Sequence, residues 1–332
     1  MPTLGTRVRL TFCISLVVLA LVATACGSSD SGDSMLPAQP QPTAQPADFP
    51  SATGKSLNDL ATMADTKGPV LAPSVSVLTK GKNRFGFALF DTARKQITGS
   101  AVAVYTARND GSGLRGPYVA RSESIAVRPQ FQSRTTASDP DSAKAVYVAD
   151  VPFKADGKRL VIGLVRLDGR LLLTNPFSVS IGDHNGPPRV GDRAIRIHTK
   201  TLTDVGGDGA QLDTRRPIAT DLLADDFADV LGKRPAVLTF ATPLLCQSRV
   251  CGPVVDVVEQ VKATAPKDVA FIHQEIYNAN AVDKGYRPQV AAWRLPTEPW
   301  TFVIDRHGRI ADRFQGAFSP GELQRAVAAV AR

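Results

Sequence analysis

Four cysteines punctuate the 332-residue chain, and two of them, Cys246 and Cys251, stand close together and far from the others. Two thiols five residues apart can close a disulfide, exchange it with another molecule, or hold a soft metal ion. How they meet depends on the intervening Gln247-Ser248-Arg249-Val250. On an ideal α-helix, residues five apart have Cα atoms about 8.6 Å apart, beyond the ~7 Å that a disulfide tolerates. Either Cys246 sits in a loop before a helix begins, or closing the bond unwinds the first turn. Pro253 favours the loop, because proline suits the opening turn of a helix. Exchange chemistry needs a thiolate, which a helix N-terminus and nearby positive charge stabilise. Arg249 lies between the two sulfurs in sequence and is the candidate for that charge. Cys246 follows an apolar run most closely and is expected to attack, leaving Cys251 to resolve the mixed disulfide. The competing reading is an inert disulfide that staples the loop.

The remaining chemistry-bearing residues are scattered. Of the four histidines (His184, His198, His273 and His307), His273 is expected on a buried strand beside Glu275 and His307 in a solvated turn. No metal and no cofactor beyond the two cysteines is expected. Lysine and arginine total 39 against 31 acidic residues, a net charge of +8. Arginines outnumber lysines 26 to 13 and are spread thinly. A nucleic-acid binder would concentrate them on one face or arm, so that class is set aside. Hydrophobic residues make up 43% of the chain, enough for real cores, which excludes wholesale disorder. The length predicts two domains with tails.

The other two cysteines belong to the N-terminus. Arg7 and Arg9 precede an apolar run from Leu10 to Val22, then Ala23-Thr24-Ala25 and Cys26. A basic start, a short apolar stretch and small residues form a secretory signal, and the run is too short to read as a membrane-spanning helix. Cys26 directly after the small residues resembles a bacterial lipobox, although Ala23 stands where leucine is commonest. The resemblance implies cleavage before Cys26, its acylation, and a protein held at the extracytoplasmic face of the bacterial cell membrane, where disulfides persist. Ordinary secretion, with Cys26 a free thiol, is the alternative. Residues 26–69, which open rich in Ser, Gly, Gln and Pro, are expected to be a flexible tether.

Residues 70–182 have a period of two. Ser74 to Leu78, Arg84 to Phe90, Ala101 to Tyr105, Ala145 to Val151, Leu160 to Leu167 and Leu171 to Ser180 are candidate strands, separated by Gly- and Asp-rich turns. The pattern predicts an antiparallel β-sandwich of immunoglobulin type that serves as a spacer or docking module. The pattern changes over 185–332. Arg196-Ile197-His198 is expected as a leading strand and Asp226 to Gly232 as a short helix. Pro235 to Ala241, Val269 to Ile272 and Trp300 to Asp305 are continuous apolar runs suited to buried strands. Val254, Val257, Val258 and Val261 fall at helical spacing. Ser319-Pro320-Gly321-Glu322 opens a final helix as a capping box with proline at its first position.

Strand, helix, strand, helix, hairpin, helix is the thioredoxin order. With Glu298-Pro299-Trp300-Thr301-Phe302-Val303-Ile304-Asp305 and Leu238 to Pro243 running into Cys246, residues 185–332 resemble the thioredoxin-like superfamily, in particular membrane-tethered TlpA-type and redoxin-like proteins. The resemblance implies a cis peptide at Pro299 facing the cysteines, with Trp293 and Trp300 flanking it as candidates for a substrate groove. The family spaces its cysteines C-x-x-C, whereas this chain has C-x4-C. That spacing also resembles atypical peroxiredoxins of the bacterioferritin-comigratory type, but Pro243 stands where they carry threonine and Pro299 where they carry arginine. Sco-type copper proteins pair two cysteines with a histidine before the strand at 302–305, and none of the four histidines lies there. The expectation is a lipid-anchored, extracytoplasmic thiol–disulfide oxidoreductase with a protein thiol or disulfide as substrate and a separate redox partner. The alternatives are a thioredoxin-fold scaffold with a structural disulfide and a thiol peroxidase.

Overall fold

The computed structural model describes residues 44–182, 185–246 and 248–331. The expected signal peptide, Cys26 and the first part of the tether lie outside them. Among the described residues no helix is long and apolar enough to cross a membrane.

The tether expected over 26–69 gives way to packed structure from residue 44. Pro46 to Asp48 form a 3-10 turn, and α1 (Leu57–Ala61) starts at a capping box in which Ser56 and Asp59 satisfy each other's backbone N–H. Phe49, Ala52 and Leu60 are buried against Ala103, Tyr105, Leu114 and Ile162, and Tyr105 Oη donates to Pro50 O over 2.6 Å. The average composition here is that of a spacer, but burial is decided side chain by side chain.

Nine strands follow: β1 (Val70–Pro73), β2 (Gly81–Phe90), β3 (Gln96–Ile97), β4 (Ala101–Ala107), β5 (Arg115–Ser124), β6 (Ala145–Phe153), β7 (Gly157–Leu167), β8 (Arg170–Leu173) and β9 (Phe177–Ile181). They form one antiparallel sheet in the order β1-β2-β6-β5-β4-β7-β8, with β3 beside β2 and β9 beside β7. The all-β, antiparallel character is as expected, but two separate sheets of an immunoglobulin-type sandwich are replaced by one curled sheet. The reason is β5, which pairs with β4 through Arg115–Ala120 and with β6 through Arg121–Ser124. One strand therefore belongs to both layers, and the curl closes Phe85, Phe87, Val102, Val104, Tyr147 and Val161 into a common core. Between β5 and β6 the chain leaves the sheet for residues 125–144, an excursion that contains the short helix α2 (Arg134–Ser138).

The C-terminal part contains α3 (Phe227–Val230), β10 (Ala236–Phe240), α4 (Cys251–Lys262), β11 (Ala270–Gln274), α5 (Pro288–Ala292), β12 (Trp300–Ile304), β13 (Ile310–Gln315) and α6 (Pro320–Val330). Its sheet runs β11-β10-β12-β13, with β10 parallel to β11 and the other pairs antiparallel. Arg196–His198 is not part of it. Alternate strand residues go to opposite faces. Val237, Phe271 and Val303 pack with Val254, Val258, Leu323 and Val327 of α4 and α6. Leu238, Ile272 and Phe302 pack with Phe227 and Trp293 on the other face. Both faces are covered, which is why these strands read as continuous apolar runs.

The described residues all fall within one compact unit, so in place of the two separate domains expected from the sequence there are two sheets in one packed body. The start of α6 is the seam. Glu322, while completing the helix cap with Ser319, accepts from Arg84 Nε at 2.8 Å and Nη2 at 2.7 Å, and from Arg121 at 3.2 Å. Ser319 also donates to Glu123. Just ahead of the cap, Gly316 has φ +72°, and a Cβ there would lie 2.5 Å from Ser74 O. Only glycine accepts both that conformation and that approach.

Candidate thiol site

β10 leads through Thr242 to Leu245 into Cys246, and α4 begins at Cys251. The cysteines thus sit on a loop and at the first residue of a helix, the arrangement that Pro253 favoured. Arg249 turns the loop back with φ +56°, and its N–H donates to Cys246 O at 3.3 Å. Val250, at the N-cap of α4, offers no side-chain cap. The first N–H groups of a helix lack internal partners, and those of Val250 and Cys251 are near enough to the Cys246 sulfur to favour its charged form.

The two thiols are unequal. Cys246 is half-buried and Cys251 fully buried. The Cys251 thiol donates to Cys246, and this bond, outweighing burial, does most to bring Cys246 down to about 6. Ser248, whose Oγ lies 3.1 Å from the sulfur, and the two helix N–H groups add to the effect. Burial, its bond to Cys246 and the charges of Cys246 and Glu298 push Cys251 well above the usual thiol range. One thiol is thereby held as an accessible thiolate and the other as a sheltered thiol.

Glu298 is the third member, and sequence reading passed over it. The two sulfurs and a Glu298 carboxylate oxygen all lie within 4.8 Å of one another. Burial, reinforced by the charges of Cys246 and Glu275, raises the Glu298 carboxyl to about 7. Its position immediately before Pro299, in the segment that carried the family resemblance, was the available signal. The Glu298–Pro299 peptide is cis, and Pro299 O accepts from Gly316 N at 3.0 Å. Tyr277, stacked on Tyr286 with ring centroids 5.3 Å apart, is pushed up to about 12, chiefly by burial and with Glu298 and Cys246 contributing.

Two other expected site residues are placed differently. The Arg249 guanidinium is taken up by Asp141 at 2.7 Å and Asp139 at 3.1 Å, both from the excursion. Hydrogen bonds and the helix terminus do the work expected of its charge. Trp300 is 1% exposed, stacks on Phe302 with ring centroids 5.7 Å apart, and lies under the Arg313 guanidinium. Its ring packs in the core, and the residue also borders an open cleft lined by Arg84, Arg121, Asp312, Arg313 and Glu322. Trp293 is likewise buried among Phe227, Phe240 and Phe302.

Beneath the cysteine loop lies a buried polar knot. Leu244 N donates to Thr214 Oγ1 at 3.1 Å, and that hydroxyl donates to Glu275 at 2.9 Å. His273 lies 3.5 Å from Asp213 and 3.1 Å from Ala241 O. The ring is buried, but the Asp213 carboxylate overcomes the burial and raises its proton affinity. On the other side, the excursion grips α4. Ser133 N donates to Asp256 at 3.1 Å, and fully buried Arg215 pairs with Asp256 at 2.9 Å and with Glu259 at 2.6 Å. A Cβ on Gly252 would meet Thr136 Oγ1 at 2.9 Å, so this helix start fits its cover only without a side chain.

No family model matches the chain, and no curated protein matches it. Among solved structures, it is similar to a thiol:disulfide interchange protein of the thioredoxin family from Chlorobium tepidum TLS. The similarity spans 43% of this chain and 99% of that one, at 16% identity and a TM-score of 0.29.

Proposed function

We propose that the protein is a thiol–disulfide oxidoreductase working through Cys246 and Cys251. The reading rests on the inequality of the two thiols, one accessible with a titration near 6 and one buried and held protonated. The Cys246 thiolate attacks a disulfide of a protein substrate, forming a mixed disulfide and releasing one substrate thiolate. Cys251 then attacks the Cys246 sulfur, which releases the second substrate thiolate and closes the Cys246–Cys251 bond. The proton leaving Cys251 passes to the Glu298 carboxylate. Electrons flow from the dithiol to the substrate, and the reverse sequence oxidises a substrate dithiol. The cis Pro299 beside Glu298 is where the extended substrate segment would lie. With Cys26 acylated, the chemistry would take place at the outer face of the cell membrane, with a separate partner restoring the dithiol.

The test is the midpoint of the Cys246–Cys251 couple in glutathione buffers, read by reversible thiol labelling. A midpoint between about −120 and −270 mV places the pair among working exchangers. A pair that remains oxidised below about −300 mV is a structural staple, and the protein is then a binding module. Cys251→Ser should accumulate mixed disulfides with substrate proteins, and Cys246→Ser should not.

A further inference from the structure

We propose that in the reduced protein Cys246, Cys251 and Glu298 form a three-ligand site for an exchangeable divalent cation of the zinc type. The proposal goes beyond thiol exchange, because it requires only that both sulfurs be reduced. The geometry is close to what such an ion needs. Tetrahedral zinc, with sulfur at ~2.3 Å and carboxylate oxygen at ~2.1 Å, sets neighbouring ligand atoms about 3.4–3.8 Å apart. The three donors already lie within 4.8 Å of one another, and two of them, Cys246 and Glu298, are only half-buried.

Proton transfer during exchange does not account for how the Glu298 carboxylate is held at rest. Among the described residues no group donates a hydrogen bond to it and no cation pairs with it. A partly buried carboxylate facing two sulfurs, with no partner of its own, has an unmet need for positive charge. A dication would meet that need for all three donors together. The buried Asp213–His273–Glu275 group offers a contrast, since its donor atoms also lie within 4.8 Å of one another. There the carboxylates are already occupied, Asp213 by the N–H groups of Arg215 and Ala219 and Glu275 by Thr214 and Ile276. That group is a structural knot, whereas the thiol group has capacity to spare.

The donor set selects the ion. Two thiolates exclude magnesium and calcium, which take oxygen ligands, and a carboxylate adds little for monovalent copper, which prefers soft donors. Zinc accepts both kinds. Three protein ligands leave the fourth tetrahedral position to water, unlike the closed four-ligand sites of structural zinc. On binding, the thiol protons leave to solvent and the sulfurs become ligands, so the ion shields the dithiol from oxidation until it is removed.

Cobalt is the probe, added without oxygen to the fully reduced full-length protein and then displaced with zinc. One equivalent of cobalt should give a thiolate-to-cobalt charge-transfer band and tetrahedral visible bands, and the oxidised protein should give neither. Glu298→Gln should weaken binding at least about tenfold with an unchanged far-ultraviolet spectrum, and Glu298→Asp should recover part of the loss. Absence of a charge-transfer band would overturn the proposal. So would Glu298→Gln binding as tightly as the wild type, or equal binding by the oxidised protein. The redox midpoint, measured with a chelator present, judges the exchange reading separately, and either can fail while the other stands.

Discussion

Cys246 owes its low titration first to a single neighbour, and that dependence can be measured. Cys251→Ser replaces the thiol that donates to it, so the Cys246 titration should shift from its wild-type position near 6. Alkylation of the reduced wild-type protein should rise with pH through a midpoint near 6 and modify Cys246 alone. A midpoint above 8, or equal labelling of both cysteines, would remove the inequality on which the function rests. Glu298 behaves in the opposite sense. Its carboxyl is raised to about 7, so between the ordinary carboxyl range and pH 7 the folded state holds a proton that the unfolded chain has released. Stability from the neutral carboxyl is therefore lost as pH rises through 7. Glu298→Gln should raise the melting temperature at pH 8 and leave it unchanged at pH 4. The same variant should slow resolution of the mixed disulfide by about a hundredfold or more and abolish the rate inflection near pH 7. A variant no more stable at pH 8 than the wild type would contradict the assigned shift.

The elements that hold the site are fixed by charges brought from a distance. α4 keeps Asp256 buried because Arg215 and Ser133 come to it from two other parts of the chain. Removing one member of a buried pair strands the other, typically at a cost of about 3–5 kcal/mol. Arg215→Met should cost at least ~3 kcal/mol in urea unfolding, and Arg215→Met with Asp256→Leu should cost less than the sum of the two single changes. Additive losses would mean that the pair is not coupled. Element boundaries were legible where burial was symmetric. The apolar runs of β10 and β12 and the Ser319 capping box could be read directly. β5 could not, because Arg115-Gly116-Pro117 breaks any alternation and its two halves serve different neighbours. The opposite error occurred at Ser74–Leu78, which alternates like a strand. The N–H groups of Ser76 and Val77 donate there to the Gln315 side chain, at 3.0 and 3.1 Å, so no ladder forms.

For the whole molecule, the ion-pair seam at α6 couples the curled sheet to the thiol-bearing sheet. Arg84, Arg121 and Glu322 are largely buried together, so one half should not unfold while the other remains native. Calorimetry of the reduced protein should give one transition whose calorimetric and van't Hoff enthalpies agree, and Arg84→Ala should lower it. Two resolved transitions in the wild type would mean that the sheets are independent domains after all.

By itself the sequence determined the local facts. A thiol pair lies between a buried strand and a helix, and the cysteine spacing together with Pro253 favours a loop ahead of that helix. These follow from periodicity, residue type and chain geometry over a few positions. The tertiary structure decided which sulfur is the thiolate, that Glu298 and not Arg249 stands beside it, and that the stretch from residue 44 packs instead of trailing. Each of those depends on burial and on partners far along the chain. Glu298 reaches Cys246 across 52 positions and Asp139 reaches Arg249 across 110, and a local pattern carries no record of such meetings.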